Sequence, residues 1–170
     1  HMPLVLGETG TKKLSKRDPQ ADLFLQRERG FIHEGLLNYL ALLGWSIAAD
    51  RDVFSLEEFT AAFDIADVNP NPARFDQKKA ESINGDHIRM LDASDFAARI
   101  VPYLQAGGVL PESPSAAQLE LVAAAAPLVQ ERVQVLGDVP GMLGFLFTDA
   151  VSYDDDALKG LPANAAEVLV

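Results

Sequence analysis

The chain has 170 residues, 48% of them hydrophobic, and no low-complexity tract, so it can bury one sizeable core or two small ones and is not a disordered polymer. Cysteine is absent, which excludes disulfides and thiolate metal sites, and no apolar run approaches the ~20 residues of a membrane-spanning helix. Lysine and arginine number 14 against 25 acidic residues, a net charge of −11, and that field opposes a polyanion spread over the whole surface.

The elements follow in chain order. PLVL, residues 3–6, is a short extended run without the pattern of a secretory leader, and GETGT, residues 7–11, is a glycine-bearing turn. The run KKLSKRDP, residues 12–19, then places Lys12, Lys13, Lys16 and Arg17 in one loop. Such a cluster repels itself, so it either faces an anion or stands as a solvated basic turn. Residues 1–30 hold six basic and four acidic side chains, whereas residues 31–170 hold eight basic and 21 acidic ones. The head is locally positive and the body strongly negative.

From Asp18 the stretch DPQADLFLQRERG predicts a helix begun by Asp18-Pro19 and stopped by Gly30. In EGLLNYLALLGW, Leu36, Leu37, Tyr39, Leu40 and Leu43 have helical spacing, and Gly44 ends the helix. Ser55–Glu58 forms a capping box ahead of Phe59 and Phe63. Residues 68–76 read as loop, because two Asn-Pro steps disfavour helix, and Asp76 caps the next helix. Another helix runs from Asp92 to Gly107-Gly108. The linker VLPESPS, residues 109–115, is the best domain boundary. An Ala-rich helix is expected over 116–136 with a kink at Pro127, then a break in GDVPGM and the apolar run LGFLF. DDDALKGL is expected to form a short acidic helix and NAAEVLV the start of another. The expected architecture is mostly α, two helical subdomains with little strand beyond the first residues.

Few residues carry recognisable chemistry by themselves. GETGTKK fails as a phosphate-binding P-loop, because Thr11 separates Gly10 from Lys12. His33 and His87 are lone imidazoles, read as capping or solvated. Asp154, Asp155 and Asp156 read as a solvated helix start rather than a metal site. No nucleophile–base set can be assembled, and no metal site is expected.

KLSKR, residues 13–17, resembles the KMSKS signature of class I aminoacyl-tRNA synthetases in its glutamyl form. Three further stretches resemble that family in the same order: GFIHEGLLNYLALLGWS at 30–46, FSLEEFTAAFD at 54–64 and ARFDQKKAESIN at 73–84. Over 92–170 the likeness is looser, carried by LVQERVQVL and FLF. The chain is thus similar to the C-terminal half of bacterial glutamyl-tRNA synthetases from about the KMSKS loop onward.

The resemblance implies a division into the KMSKS loop and the end of a catalytic domain over 1–18, a helical stem-contact domain over 19–110, and the first, truncated part of a helical anticodon-binding domain over 111–170. It implies that Lys13, Leu14, Ser15, Lys16 and Arg17 form the ATP-binding loop. Lys16 is then the chief phosphate contact and Leu14 an anchor. It assigns tRNA contacts to Arg74, Lys78 and Lys79, and anticodon reading to Arg132, the one cation between Arg99 and Lys159. A salt bridge from Arg132 to Glu131 or Asp138 is the competing reading. The expected parent activates glutamate with ATP and Mg²⁺ and charges tRNA(Glu). This part alone is expected to be inactive, with no cofactor bound. A cytoplasmic monomer with no membrane or DNA partner is expected. The alternative is a non-catalytic helical module derived from a synthetase. A glutaminyl enzyme or a shortened paralogue fits less well, because the family's versions of those lack a helical region like 115–170.

Overall fold

A computed structural model describes residues 4–148, so the expectations for Asp154–Asp156, DDDALKGL and NAAEVLV lie outside the described residues. The order is β1 (Val5–Leu6), α1 (Leu23–Arg29), α2 (His33–Leu42), α3 (Leu56–Ala62), β2 (Ala73–Arg74), α4 (Gln77–Arg89), α5 (Ala93–Ala106), α6 (Ala116–Gln130) and α7 (Val139–Leu143), with 3₁₀ turns between several of them. The fold is mostly helical. No helix among the described residues is long and apolar enough to cross a membrane.

Local chemistry explains most helix starts. Ser55 and Glu58 make the expected reciprocal capping box on α3, and Ser115 and Gln118 make a second one on α6. Asp76 Oδ1 accepts from Lys79 N at 3.0 Å and caps α4. One start differs from expectation. Asp18 does not cap α1; Pro19–Ala21 is a 3₁₀ turn, and Asp22 Oδ1 accepts from Phe24 N at 2.9 Å instead. At the start of α2 the apolar Ile32 offers no capping side chain, and its N–H donates to the buried Asn84 Oδ1 at 2.9 Å.

That bond marks the main helix crossing. Gly35 of α2 lies so close to α4 that a Cβ there would sit 2.6 Å from Asn84 Oδ1. One cluster around this crossing joins Phe31, Tyr39, Phe75, Ala80, Ile83 and Val135, with Val5 and Leu14 packed against it. The larger cluster runs from Ile32 and Ile88 through Phe96, Ile100 and Leu104 to Val122, Ala126, Val133 and Val139. Residues on both sides of 109–115 share it, so that segment is a turn between packed helices. Trp45 stacks edge-on against Phe54 and Phe59, 5.6 and 5.3 Å between ring centroids, and ties α3 to the end of α2.

α6 ends at Gln130 rather than near 136. Glu131 and Arg132 turn the chain, and Val133 and Val135 are buried in different clusters, Val135 with extended backbone at φ −138° and ψ 141°. β2 is a strand where loop was expected; it pairs in parallel with β1, Val5 opposite Ala73 and Leu6 opposite Arg74.

Candidate functional site

The basic loop is a hairpin return of β1. Gly7 N donates to Lys12 O and Leu14 N to Val5 O, both at 2.9 Å, and Gly10 N donates to Gly7 O at 2.8 Å across a turn in which Gly10 takes φ 70°. Leu6 therefore has Lys13 on one side and Arg74 on the other. Alternation along the strands then sorts the side chains. Val5 and Leu14 face the aromatic cluster, while Lys13 and Arg74 share the opposite, exposed face. Leu14 is partly buried against that cluster.

A second turn closes the loop. Ser15 N donates to Asp18 Oδ2 at 2.6 Å, Asp18 N returns to Ser15 O at 3.0 Å, and Ser15 Oγ accepts from Arg17 N at 3.2 Å. Asp18 thus organises the basic turn instead of starting a helix. Lys12, Lys13, Lys16 and Arg17 are all exposed, and none makes an ion pair among the described residues. Lys13 and Lys16 line one concavity of about 690 Å³ together with Leu14, Ser15, Leu23 and Phe24. Lys12 and Arg17 lie outside it. Two unengaged ammonium groups beside an apolar wall can stabilise negative charge on a ligand there.

The other predicted residues separate into two places. Arg74 and Lys79 line a second concavity of about 600 Å³ with Trp45, Ser46, Asn69 and Asn71; Lys78 is exposed outside it. Lys79 is already engaged, its Nζ 2.9 Å from Asp52 Oδ2, whereas Arg74 and Lys78 make no ion pair among the described residues. The Gly10 turn lies beside Arg74, whose Cδ would be in ordinary contact, 3.6 Å, with a Cβ at Gly10. Sequence reasoning placed Arg74 apart from the basic loop, and the β1–β2 pairing joins them.

Arg132 does not lie on a helix. It occupies the turn after α6, exposed, and the alternative salt bridges to Glu131 and Asp138 are not formed. Its backbone is tightly braced. Gln130 Nε2 donates to Ile88 O and Leu91 O at 2.9 and 2.8 Å, and Asn84 Nδ2 donates to Gln134 O at 2.6 Å. Arg132 thus presents an exposed side chain on a braced turn.

The buried polar residues were not foreseen. Asn38 Nδ2 donates to Asp52 O at 2.8 Å, which fixes Oδ1 as acceptor for Phe54 N at 3.1 Å and for His87 Nε2 at 2.8 Å. His87 is therefore a core histidine, held below its ordinary pKa by burial despite Glu34 and Asp86 nearby. Asn84 and His87 fall on the apolar face of α4 beside Ile83 and Ile88, and that misplaced polarity was the available signal. His33 is solvent-exposed, its Nδ1 3.2 Å from Glu34 Oε2. Burial pushes the Glu34 carboxyl up, but a bidentate pair with Arg99, at 2.9 and 3.0 Å, outweighs it and leaves the pKa lowered. Among the described residues no group of three or more His, Asp or Glu side chains is placed to hold a metal ion.

Comparison with known proteins covers nearly the whole chain. Residues 1–82 match the family model for the catalytic domain of class I tRNA synthetases (E and Q), and residues 95–170 match the model for an anticodon binding domain. A glutamate–tRNA ligase of Leifsonia xyli is 66% identical over 99% of this chain and 35% of its own length. One of Kineococcus radiotolerans is 64% identical, with 99% and 34% covered. The chain thus spans about a third of the length of these curated relatives. Among solved structures, a glutamate–tRNA ligase of Elizabethkingia meningosepticum in complex with its amino acid superposes with a TM-score of 0.79 at 25% identity, covering 99% of this chain and 36% of that one.

Proposed function

The chain belongs to the class I glutamyl- and glutaminyl-tRNA synthetase family as part of a bacterial glutamate–tRNA ligase, and from this we propose that the whole protein activates glutamate with ATP and transfers it to tRNA(Glu). This part would supply the KMSKS loop and the end of the catalytic domain over 1–18, a stem-contact region over 19–110 and the beginning of an anticodon-binding region over 111–170. The observation that carries the reading is the pair of unengaged lysines, Lys13 and Lys16, in one concavity within the segment that matches the catalytic-domain model.

The chemistry asks for such a pair. A glutamate carboxylate oxygen attacks the α-phosphorus, the bridge to the β-phosphate breaks, and pyrophosphate leaves with the bonding electrons. Negative charge grows on that leaving group, and positioned ammonium groups lower the barrier by meeting it. Lys16 is the chief contact and Lys13 the second; Leu14 seats the loop against the core, the bridge to Leu6 positions Lys13, and the Ser15–Asp18 turn carries Lys16. Mg²⁺ would come with the ATP phosphates, the usual way that ion is held. Arg74, Lys78 and Lys79 would meet the tRNA backbone, and Arg132 the anticodon. The protein would work as a cytoplasmic monomer.

Replacing Lys16 in the full-length protein tests this reading. Lys16→Ala should slow glutamate-dependent ATP–pyrophosphate exchange by roughly 10²–10³-fold, the scale of losing one donor to developing charge. Its affinity for tRNA should stay within about twofold of the unmodified protein. Unchanged exchange would remove Lys16 from the ATP site.

A further inference from the structure

A third concavity, of about 420 Å³, opens among the turn before the basic loop, α1 and the first residue of α4, and shares no lining residue with the Lys13–Lys16 concavity. Among the described residues, the only buried side-chain polar atoms lacking a hydrogen-bond partner are Gln26 Oε1 and Gln77 Oε1, and both residues line this cavity. Gln26 is only 3% exposed. Turning either amide over does not remedy the mismatch. Gln26 Nε2 donates to Pro19 O at 3.5 Å and Gln77 Nε2 to Glu81 Oε1 at 3.1 Å, so a flip would set oxygen against oxygen. Two fixed, unsatisfied acceptors at one cavity call for a donor from outside.

The rest of the lining says which donor. Glu8 and Glu28 make no ion pair among the described residues, and Arg29, the one cation of the lining, is committed to Glu81 at 2.6 Å. Nothing there needs an acceptor. Pro19 and Leu25 add carbon walls, too apolar for a hydrated metal ion and suited to methylene groups. We propose that this cavity binds a primary alkylammonium group. Its N–H hydrogens go to Gln26 Oε1 and Gln77 Oε1, its charge faces Glu8 and Glu28, and its methylenes lie along Pro19 and Leu25. A free polyamine and a lysine side chain from elsewhere in the longer protein share this chemistry. The assignment does not depend on the reading of the ATP loop.

Titrating butylammonium and spermidine into the 170-residue chain, with the side-chain NH₂ signals of Gln26 and Gln77 followed by NMR, tests it. Saturable shifts at both amides are expected, with Gln26→Met and Gln77→Met each weakening binding by about tenfold, the loss of one charge-assisted hydrogen bond. The exposed pair Glu8→Gln with Glu28→Gln should weaken it as well, and serves if a glutamine variant fails to fold. Glu120→Gln, on the surface of α6, should change nothing. No saturable shift, which would mean that water alone fills the cavity, overturns the proposal. So does binding that survives the Gln26, Gln77, Glu8 and Glu28 changes, which would be diffuse attraction to an acidic surface. In the full-length protein, retained spermidine binding identifies a free polyamine. Lost binding with a lysine Nζ seated in the cavity of its crystal structure identifies the intramolecular source, and lost binding with no lysine there overturns the proposal.

Discussion

Arg132 and His87 show two opposite uses of a charged or chargeable side chain. Arg132 is exposed and unpaired among the described residues, yet its turn is held by the buried amides of Asn84 and Gln130. A guanidinium so mounted can present a planar donor pair to a base edge at small entropic cost. In the full-length protein, Arg132→Gln is expected to reduce discrimination between tRNAs differing at the last anticodon base by about 1–3 kcal/mol. Steady-state aminoacylation of the two tRNAs measures it, and an equal loss for both would make Arg132 a phosphate contact. His87 is the reverse case, a neutral imidazole whose burial lowers its pKa from 6.5. Its folded form resists protonation, so the unfolded chain binds more protons as the pH falls below about 6.5. The stabilising contribution is complete above that pH and is lost on acidification toward the folded-state pKa. Glu34, also lowered, begins to act only below its ordinary 4.5, so the two windows separate. Urea denaturation at pH 7.5 and 5.5 should show a fall in stability that His87→Gln largely removes.

Among the elements, the end of α1 bears the tightest constraint. Gly30 has φ 101°, and a Cβ there would lie 2.3 Å from Leu136 N and Gly137 N, while Gly30 O accepts from Leu136 N at 2.9 Å. Gly30→Ala is expected to cost at least about 2 kcal/mol, since strain and overlap add. Gly108→Ala, also at positive φ but with open space around it, should cost only about 1 kcal/mol. Thermal unfolding of the two variants side by side checks the contrast. The same joint shows what was legible in the sequence. Stops and caps written in a few neighbouring residues, Gly30, Ser55 with Glu58, Asp76, Gly107-Gly108, appear where they were read. The end of α6 was not readable, because Glu131 to Leu136 all tolerate helix and only contacts distant in sequence, to Gly30 and the two cores, take them out of it. β2 was hidden for the same reason: two residues become a strand only through β1, far away in sequence. The lysine loop was visible as a motif, but its neighbour Arg74 came to it through that unreadable pairing.

On the scale of the whole molecule, charge decides how a polyanion can be held. Residues 31–170 carry 21 acidic and eight basic side chains, so attraction has to come from the cations not already paired. The ion pairs divide these cleanly. Arg29, Arg51, Lys79, Arg89 and Arg99 are each bound to a carboxylate, while the basic loop, Arg27, Arg74, Lys78 and Arg132 are not paired among the described residues. A free cation that meets a phosphate releases a counterion on binding. A paired one exchanges one anion for another and releases less. Binding of tRNA to the 170-residue chain should therefore be weak and steeply dependent on salt. Lys78→Ala and Arg74→Ala should each flatten the plot of log affinity against log salt by about 0.7–0.9, the slope of one phosphate contact. Lys79→Ala should flatten it less, because a lysine already paired with Asp52 releases less when a phosphate takes that carboxylate's place. Fluorescence anisotropy across a salt series resolves slopes of that size. Equal slopes for the Lys78 and Lys79 variants would show that the Asp52 pair dissolves before tRNA arrives. A slope unmoved by Arg74→Ala would detach that residue, and the 600 Å³ concavity it lines, from the tRNA surface.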